Sequence, residues 1–179
     1  MENKFEMCPV CGSKNVVTHK IKWTCPDCNF DLYNNVAAAV GIIIVDDENK
    51  VVFETRAKEP RKGFLALPGG FVNPDECAEA AVIRECREEI GFEVKNPQFI
   101  CSFPNTYPYK NIVYKTCDLF FVARVPGHLE DYLSKMNAEA TEVTSIKLEK
   151  VAAIEDVEKL PMAFGSSINA LKVFVKSGK

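Results

Sequence analysis

The sequence lacks an excess of charge of either sign. Its 179 residues include 22 Lys and Arg and 25 Asp and Glu, which gives a formal net charge of −3 at pH 7. Proteins that hold a polyanion without sequence preference rely on a positive surface field. The balance of charge therefore disfavours broad nucleic-acid binding, although it leaves room for a local basic pocket.

Long hydrophobic runs, internal repeats and low-complexity segments are also absent. The longest apolar run, Val36 to Val45, has half the length that a helix needs to cross a bilayer. The first residues, MENKFEMC, do not show the charged and then apolar pattern of a signal peptide. We therefore expect a cytoplasmic protein without a membrane partner.

Four of the eight cysteines form two tight pairs, Cys8 with Cys11 and Cys25 with Cys28. A Cys-x-x-Cys turn directs two thiolates at one point, and two such turns supply the four tetrahedral sulfurs that Zn²⁺ prefers. The alternative is a thioredoxin-type redox pair, which needs only one such motif at a strand-to-helix turn. This segment is too short for a core of its own and has two motifs. Residues 1–34 are thus predicted to form a zinc ribbon with a structural Zn²⁺ ion.

The remaining cysteines are isolated in apolar surroundings, which favours small buried hydrophobes over ligands: Cys77, Cys86, Cys101 and Cys117. Trp23 lies between the two knuckles of the ribbon. We expect its ring to pack the ribbon against the rest of the chain.

From residue 35 to residue 179 the pattern is that of one larger domain. Segments rich in apolar residues predict a β-hairpin and three further strands, at 36–47 with 50–57 and at 98–104, 114–125 and 143–151. Helical periodicity predicts three helices, at 74–90, 129–136 and 166–176. Helices interspersed among strands predict an α+β fold in which helices pack in layers on a mixed sheet.

The first of these helices has sequence signals at both ends. Asn73 is a good N-cap, Pro74 suits the first helical position, and Glu76 has the spacing of a capping box. Gly91 can end the helix in a left-handed conformation. The sequence therefore predicts one helix from Pro74 to Ile90.

Three glutamates share one face of this helix. Glu85, Glu88 and Glu89 have the i, i+3, i+4 spacing, and apolar residues on the adjacent stripes predict contact with the core. Like charges at this spacing repel, and convergent carboxylate oxygens select hard cations such as Mg²⁺ or Mn²⁺. The alternative interpretation is a solvated acidic face without a metal.

The spacing of charged residues and glycines around this helix resembles the Nudix box, G-x5-E-x7-R-E-U-x-E-E-x-G-U, in which U is a bulky apolar residue. The chain matches it from Gly70 through Glu76 and Arg84 to Phe92, and departs only at Cys86, a packing position. The resemblance extends from about Ala37 to the C-terminus. It implies a Nudix-type α/β/α sandwich around a mixed β-sheet.

Nudix enzymes hydrolyse a nucleoside diphosphate linked to another group, X. The resemblance implies that Glu85, Glu88 and Glu89 hold Mg²⁺ or Mn²⁺, with the Gly69 carbonyl as a further ligand. It also implies that Arg84 orients these glutamates by ion pairing.

A carboxylate must take the proton of the attacking water, and family members differ over which one does. Glutamates outside the box often serve, and two lie in the segment AEATEVTSI. We expect Glu142 to be this base, with Glu139 as the second choice.

A zinc ribbon before a Nudix domain is similar to the NADH pyrophosphatase branch, where S-Q-P-W-P-F-P-x-S follows the box. The segment SFPNTYPYK keeps the serine, two prolines and an aromatic residue, while Asn105 and Thr106 replace Trp and Pro. Side chains that can stack on a base are Tyr107, Tyr109 and Tyr114. Candidates to hold phosphate or ribose are Arg56, Arg61 and Lys62.

Two functional hypotheses follow. The first is a metal-dependent pyrophosphohydrolase that acts on NADH, NAD or an ADP-ribose-like compound and releases a nucleoside monophosphate. The second is a non-catalytic module that senses a nucleotide while the ribbon contacts protein or nucleic acid. The complete set of box glutamates favours the enzyme, because a sensor does not need all three. We expect a small-molecule nucleotide as the partner and, since the family is often dimeric, a homodimer.

Overall fold

The structure of the protein is a computed structural model that describes residues 5–109 and 112–178. Its strands are β1 (Val17–Thr18), β2 (Lys22–Cys25), β3 (Phe30–Tyr33), β4 (Ala37–Val45), β5 (Lys50–Arg56), β6 (Leu65–Ala66), β7 (Gln98–Tyr109), β8 (Ile112–Arg124) and β9 (Val143–Lys150). Its helices are α1 (Ala78–Ile90), α2 (Glu130–Leu133), α3 (Ile154–Lys159) and α4 (Gly165–Ser177). Among the described residues, no helix has the length and apolarity needed to cross a membrane.

The first three strands form a small antiparallel sheet in the order β1-β2-β3. Cys25 is the last residue of β2, and Cys28 lies in the turn that leads into β3. Cys8 and Cys11 precede β1, in a turn where Gly12 has a φ of 73° and donates its N–H to the Cys8 carbonyl at 2.9 Å. Two cysteine turns on a three-stranded sheet confirm the ribbon architecture.

The second sheet has six strands. Its order is β6-β5-β4-β8-β7, and β9 pairs with β5. β4 and β8 run parallel from the Ala37–Thr116 pair to the Val45–Arg124 pair, whereas the other pairings are antiparallel. The hairpin predicted from residues 36–57 forms, and the sheet is mixed as expected.

Alternate side chains of β4 and β5 point to opposite faces of this sheet, so the two strands contribute to two cores. The first core joins Ile42, Ile44 and Val52 to Val82, Cys86 and Ile90 of α1. The second joins Ile43, Val51 and Phe53 to Leu171 and Phe174 of α4. Helices therefore cover both faces of the sheet, which confirms the predicted α/β/α sandwich.

The predicted helix start at Pro74 is wrong, because α1 begins at Ala78. Asp75 has a φ of 66°, in the left-handed region, and this conformation cannot continue a helix. Glu76 accepts the Asn73 N–H at 3.0 Å and donates its own N–H to the Asn73 carbonyl at 3.2 Å. This exchange closes a turn before the helix. The end at Gly91 is as predicted, with a φ of 63°.

The other helices differ from the sequence prediction in length and number. The helix predicted at 129–136 is reduced to the four residues of α2, and α4 lies within one residue of its predicted bounds. α3 and β6 were not predicted from the sequence. α3 has only six residues, and the Asp156 carboxylate begins it by accepting the N–H groups of Ala152 and Ala153 at 3.1 and 3.0 Å.

Trp23 packs inside the ribbon, with its ring centroid 4.6 Å from that of Phe5, and it belongs to neither core cluster of the larger sheet. This differs from the expected contact with the main domain. Cys86 is buried as predicted. Cys77 is exposed, because it occupies the N-cap of α1, where the helix meets the preceding loop.

Candidate active site

A cleft of about 650 Å³ is lined by residues of β4, β5, β7 and β8, of α1 and α4, and of the loop that precedes α1. Two groups of side chains dominate it. The acidic cluster consists of Glu54, Glu85, Glu89 and Glu142. The aromatic cluster consists of Phe71, Tyr107, Tyr109, Tyr114 and Phe164.

The three box glutamates differ in burial. Glu89 is 7% exposed, and the side chain of Glu85 is 12% exposed, whereas that of Glu88 is 58% exposed. Glu85 and Glu89 line the cleft and Glu88 does not. The three glutamates therefore share a helix face as predicted, but two of their carboxylates lie inside the cleft and one lies outside it.

Two glycines in the loop before α1 allow the backbone to approach these carboxylates. Gly69 has a φ of 147° and donates its N–H to Glu89 Oε2 at 2.7 Å. A Cβ on Gly69 would lie 2.1 Å from the Val40 carbonyl oxygen, and one on Gly70 would lie 2.6 Å from Glu85 Oε1. Neither position accepts a side chain without displacing what it faces.

Arg84 holds three carboxylates with one guanidinium group. Its Nε and Nη2 donate to Glu76 at 2.8 and 2.9 Å, and its Nη1 donates to Glu85 at 2.8 Å and to Glu88 at 2.9 Å. Nη2 also donates to the Phe71 carbonyl at 3.0 Å. These bonds to Glu76 and its neighbours raise the pKa of Arg84, so the side chain stays charged. The guanidinium contacts Glu76, Glu85 and Glu88 and does not line the cleft.

Glu54 of β5, one member of the acidic cluster, was not predicted from the sequence. It is 3% exposed, and its Oε2 has no hydrogen-bond partner among the described residues. The signal that could have found it is a charged residue inside the run VVFETR, at a position where alternation predicts an inward side chain.

Burial and mutual repulsion act on these carboxyls together. Burial raises the pKa of Glu89 and Glu54, and the two carboxyls face each other. Burial also raises the pKa of Glu85, even though Arg84 opposes this shift. Such a donor set, with one buried oxygen unpartnered, fits a hard divalent cation. Among the described residues, these carboxylates do not form a compact group of three or more potential metal ligands of the kind that the ribbon cysteines form.

The two candidate bases lie in different surroundings. Glu142 lines the cleft, and its Oε1 accepts a hydrogen bond from Lys58 Nζ at 2.9 Å. Glu139 does not line the cleft, and its carboxylate accepts the Thr141 N–H at 3.1 Å. Its own N–H donates to the Glu89 carbonyl at 2.8 Å, which fixes this loop to the end of α1.

The aromatic cluster is continuous. Phe71 has its ring centroid 5.7 Å from those of Tyr107 and Tyr114, and Tyr107 lies 5.8 Å from Phe164 and 6.5 Å from Tyr109. Tyr107 and Tyr109 are stacked with an interplanar angle of 22°. This arrangement presents a surface on which a planar ring can stack.

The predicted cationic side chains separate into two groups. Arg56 lines the cleft, with its guanidinium 5.1 Å above the Phe164 ring and its Nε donating to the Pro60 carbonyl at 2.9 Å. Arg61 and Lys62 are exposed and are not among the residues that line the cleft. Arg61 instead lies 5.6 Å from the Phe64 ring.

A buried carboxylate beside the aromatic cluster was likewise not predicted from the sequence. Asp118 accepts hydrogen bonds from Thr116 Oγ1 at 2.6 Å, from Ser166 Oγ at 2.7 Å and from Asn105 Nδ2 at 2.9 Å. Asn105 is one of the two residues that depart from the NADH pyrophosphatase pattern. In this structure its amide is held in place by Asp118 at the edge of the cleft.

The four ribbon cysteines bring their sulfur atoms together. All four Sγ atoms lie within 4.8 Å of one another, with Cys8 3.7 Å from Cys28 and Cys11 3.6 Å from Cys25. A tetrahedral shell with Zn–S bonds of about 2.3 Å has sulfur–sulfur edges of about 3.8 Å. These sulfur–sulfur distances fit a tetrahedral zinc site.

Residues 36–164 match the model of the NUDIX domain, and the chain belongs to this family. Among curated proteins, the NAD-capped RNA hydrolase NudC of Vibrio atlanticus is 29% identical over 150 residues, which cover 82% of this chain and 52% of that protein. The ADP-ribose pyrophosphatase of Methanocaldococcus jannaschii is 41% identical over 86 residues, 47% of this chain and 50% of that protein. The chain spans about half the length of these relatives.

Solved structures show the same fold. A NUDIX hydrolase from Nitrosomonas europaea superposes with a TM-score of 0.70 at 22% identity, over 97% of this chain and 92% of that one. The NUDIX domain of Shewanella oneidensis NrtR, solved in complex with ADP-ribose, superposes with a TM-score of 0.64 at 18% identity, over 86% of this chain and 93% of that one. At these identities the likeness concerns the fold alone.

Proposed function

We propose that this protein is a divalent-cation-dependent pyrophosphohydrolase. Its substrate is a nucleoside diphosphate linked to another group, X, of the NADH, NAD or ADP-ribose-like class. The observation that carries this proposal is that the acidic and aromatic clusters line one cleft. The acidic cluster can hold the divalent cations that a pyrophosphate requires. The aromatic cluster can stack on a base or a nicotinamide ring. The names of the relatives, an NAD-capped RNA hydrolase and an ADP-ribose pyrophosphatase, support the same class.

The reaction is the hydrolysis of a phosphoric anhydride. Water attacks one phosphorus atom, the bond from that phosphorus to the bridging oxygen breaks, and the products are a nucleoside monophosphate and phosphorylated X. We assign the removal of the water's proton to Glu142, which lines the cleft beside the box glutamates. The hydrogen bond that its Oε1 accepts from Lys58 Nζ helps to hold the Glu142 carboxylate in position.

Glu85 and Glu89 would hold Mg²⁺ or Mn²⁺ in the cleft, with Glu88 at its outer side and the Gly69 carbonyl as a further ligand. Bound at these oxygens, the ion would supply positive charge to offset the charge that develops on the pyrophosphate. Arg84 and the Gly69 N–H keep the carboxylates in place before any ion arrives. This preorganisation limits the rearrangement that binding requires.

Substrate binding is assigned to Arg56 and to the aromatic cluster. Arg56 is the cationic candidate that lines the cleft, and its guanidinium suits phosphate or ribose oxygens. Tyr107 and Tyr109 offer ring faces for stacking. The ribbon cysteines would hold one structural Zn²⁺ ion, since four sulfurs leave no coordination position open for chemistry. Their reduced thiols suit the cytoplasm.

The test is a substrate screen with the zinc-loaded full chain and Mg²⁺ or Mn²⁺. The panel contains NADH, NAD, ADP-ribose, NAD-capped RNA, diadenosine polyphosphates and nucleotide sugars, and both products of each reaction are identified. We expect cleavage between the two phosphates, with a nucleoside monophosphate as one product. Nucleotide binding without turnover of any compound would contradict the proposal and favour the nucleotide-sensing module.

A further inference from the structure

Glu54 occupies a position in the sheet where a charged side chain is unusual. It lies near the end of β5, paired with Ala66 on one side and Ile146 on the other, so strands flank it on both sides. Alternation along the strand places it on the face of Val52, which packs against α1, and opposite Phe53, which packs against α4. The Glu54 side chain therefore points to the layer that contains the box glutamates.

The groups that face Glu54 do not neutralise it. Its carboxyl shares a side-chain hydrogen bond with Glu89, and its other electrostatic neighbours are Glu85, Glu142 and one cation, Arg56. Arg56 makes no ion pair with Glu54 and directs its Nε to the Pro60 carbonyl. Glu54 has no ion pair anywhere in residues 5–109 and 112–178, and its Oε2 has no hydrogen-bond partner there.

A buried carboxylate oxygen without a partner is costly, and proteins satisfy such groups with hydrogen bonds, ions or water. We propose that Glu54 is a further ligand of the divalent cation, contributed by β5 from outside the sequence motif. The proposal rests on the metal-dependent function proposed above. It is carried by the burial of Glu54 at 3% exposure, by its unpartnered oxygen and by its place in the lining of the same cleft as Glu85 and Glu89.

Two other arrangements would also satisfy this oxygen. In the first, a buried water molecule donates to Oε2. In the second, Glu54 and Glu89 share one proton. Neither arrangement lets Glu54 contact the cation, so both predict that the affinity for a metal ion does not depend on the length of the Glu54 side chain.

The experiment measures Mn²⁺ binding alone, by the loss of the electron paramagnetic resonance signal of free Mn²⁺, on the zinc-loaded full chain. We compare Glu54→Gln with Glu85→Gln and with Glu79→Gln, which removes an exposed charge from α1 outside the cleft. We expect Glu54→Gln to raise the dissociation constant for Mn²⁺ by about ten- to a hundredfold, as losing a supporting ligand does, and Glu79→Gln to leave it unchanged. A parental dissociation constant in Glu54→Gln would overturn the proposal.

Glu54→Asp separates ligation from long-range charge. It keeps the negative charge but retracts the carboxylate by one methylene, and a strand position inside the sheet cannot move to compensate. We expect it to bind Mn²⁺ more weakly than the parent and more tightly than Glu54→Gln. Binding equal to that of the parent would overturn the proposal, even if Glu54→Gln binds weakly.

The same measurements distinguish an error in the proposed function from an error in the assignment of Glu54. If the proposed function is wrong, the parent and Glu85→Gln bind Mn²⁺ equally weakly, and none of the substitutions changes the dissociation constant. If only the assignment of Glu54 is wrong, Glu85→Gln loses affinity while both Glu54 variants keep it. Thermal unfolding gives a second readout, since Mn²⁺ should raise the midpoint of the parent and of Glu79→Gln more than that of Glu54→Gln.

Discussion

The ribbon and the cleft each gather side chains that suit a metal ion, but they hold these side chains in different ways. The four ribbon sulfurs already lie within 4.8 Å of one another, at the spacing of a closed tetrahedral shell. The cleft carboxylates do not form such a compact group in the described residues, and hydrogen bonds from Arg84 and from the Gly69 N–H hold Glu85, Glu88 and Glu89. A closed shell suits a structural ion, and an open one leaves room for a substrate.

The two sites also differ in how much hydrophobic core surrounds them. The ribbon has strands of two and four residues, and its buried apolar residues are Cys8, Trp23 and Cys25, two of them metal-ligand candidates. The cleft lies on a sheet with a hydrophobic core on each face. We infer that a metal ion completes the fold of the ribbon, whereas in the cleft it serves chemistry in a domain that folds without it.

The largest expected effect is on catalysis. Glu89→Gln should lower the rate of hydrolysis by about two to three orders of magnitude, because it removes a buried ligand charge while keeping the shape of the side chain. The unfolding midpoint should not fall, since the fold of the cleft does not need the ion. Rates and midpoints are compared with those of Glu79→Gln, an exposed control on the same helix. Equal activity in the two variants would contradict a role for the cleft carboxylates in hydrolysis.

Gly70→Ala should give a smaller loss. The added Cβ would lie 2.6 Å from Glu85 Oε1, and the end of a side chain yields more easily than backbone. Glu85 should shift, and activity should fall by about ten- to a hundredfold with little loss of stability. Gly69→Ala is the contrasting variant, because its Cβ would meet the Val40 carbonyl oxygen at 2.1 Å and should destabilise the fold. Parental activity in Gly70→Ala would show that the position of Glu85 is not critical.

Tyr107→Ala tests the other side of the cleft. Lost stacking weakens ground state and transition state alike, so KM for the best dinucleotide should rise by about tenfold with a small change in kcat. Steady-state kinetics on the compounds that pass the screen provide the measurement. An unchanged KM for every substrate would make Tyr107 a packing residue of the aromatic cluster.

The smallest expected effect is on stability against pH in the protein without divalent cations. Burial raises the pKa of Glu54 to about 8, above the unfolded value of about 4.3. Its folded form therefore retains a proton that the unfolded chain releases, and stability should decline from about pH 5 to about pH 8. Glu54→Gln should make this decline in midpoint shallower than in the parent, with the remainder due to Glu85 and Glu89, whose pKa burial also raises, and Mn²⁺ should likewise reduce the decline. A parallel decline in parent and variant would mean that Glu54 is not the group that titrates.

The sequence predicted the elements of the fold that depend on local pattern. The Cys-x-x-Cys pairs, the hairpin at 36–57 and α4 follow from spacing and alternation, and the structure has them all. The start of α1 was mispredicted because Asn73, Pro74 and Glu76 carry the signals of a cap while Asp75 adopts a left-handed conformation. Those signals belong to a turn that precedes the helix. In this turn the Glu76 carboxylate pairs with Arg84 of α1.

For the candidate site, the sequence supplied the residues of one helix but not their surroundings. The helical spacing placed Glu85, Glu88 and Glu89 together, yet their burial depends on the sheet below and differs among them. Glu54 and Asp118 are isolated acidic residues in strands. Alternation in VVFETR could mark Glu54 as an inward-facing charge, but only the pairing of β5 and β8 with their neighbours brings Glu54 and Asp118 to the cleft.

The most direct test of the contrast between ribbon and cleft is amide hydrogen exchange on the full chain, measured peptide by peptide. Exchange is measured after removal of Zn²⁺ and of Mg²⁺ and Mn²⁺, and again after each ion is added back. We predict that peptides from residues 5–34 lose protection without zinc and regain it with zinc, while the β4, β8 and α4 peptides stay protected throughout. Loss of protection in those three peptides on removal of Mg²⁺ or Mn²⁺, or a ribbon that stays protected without zinc, would contradict the account.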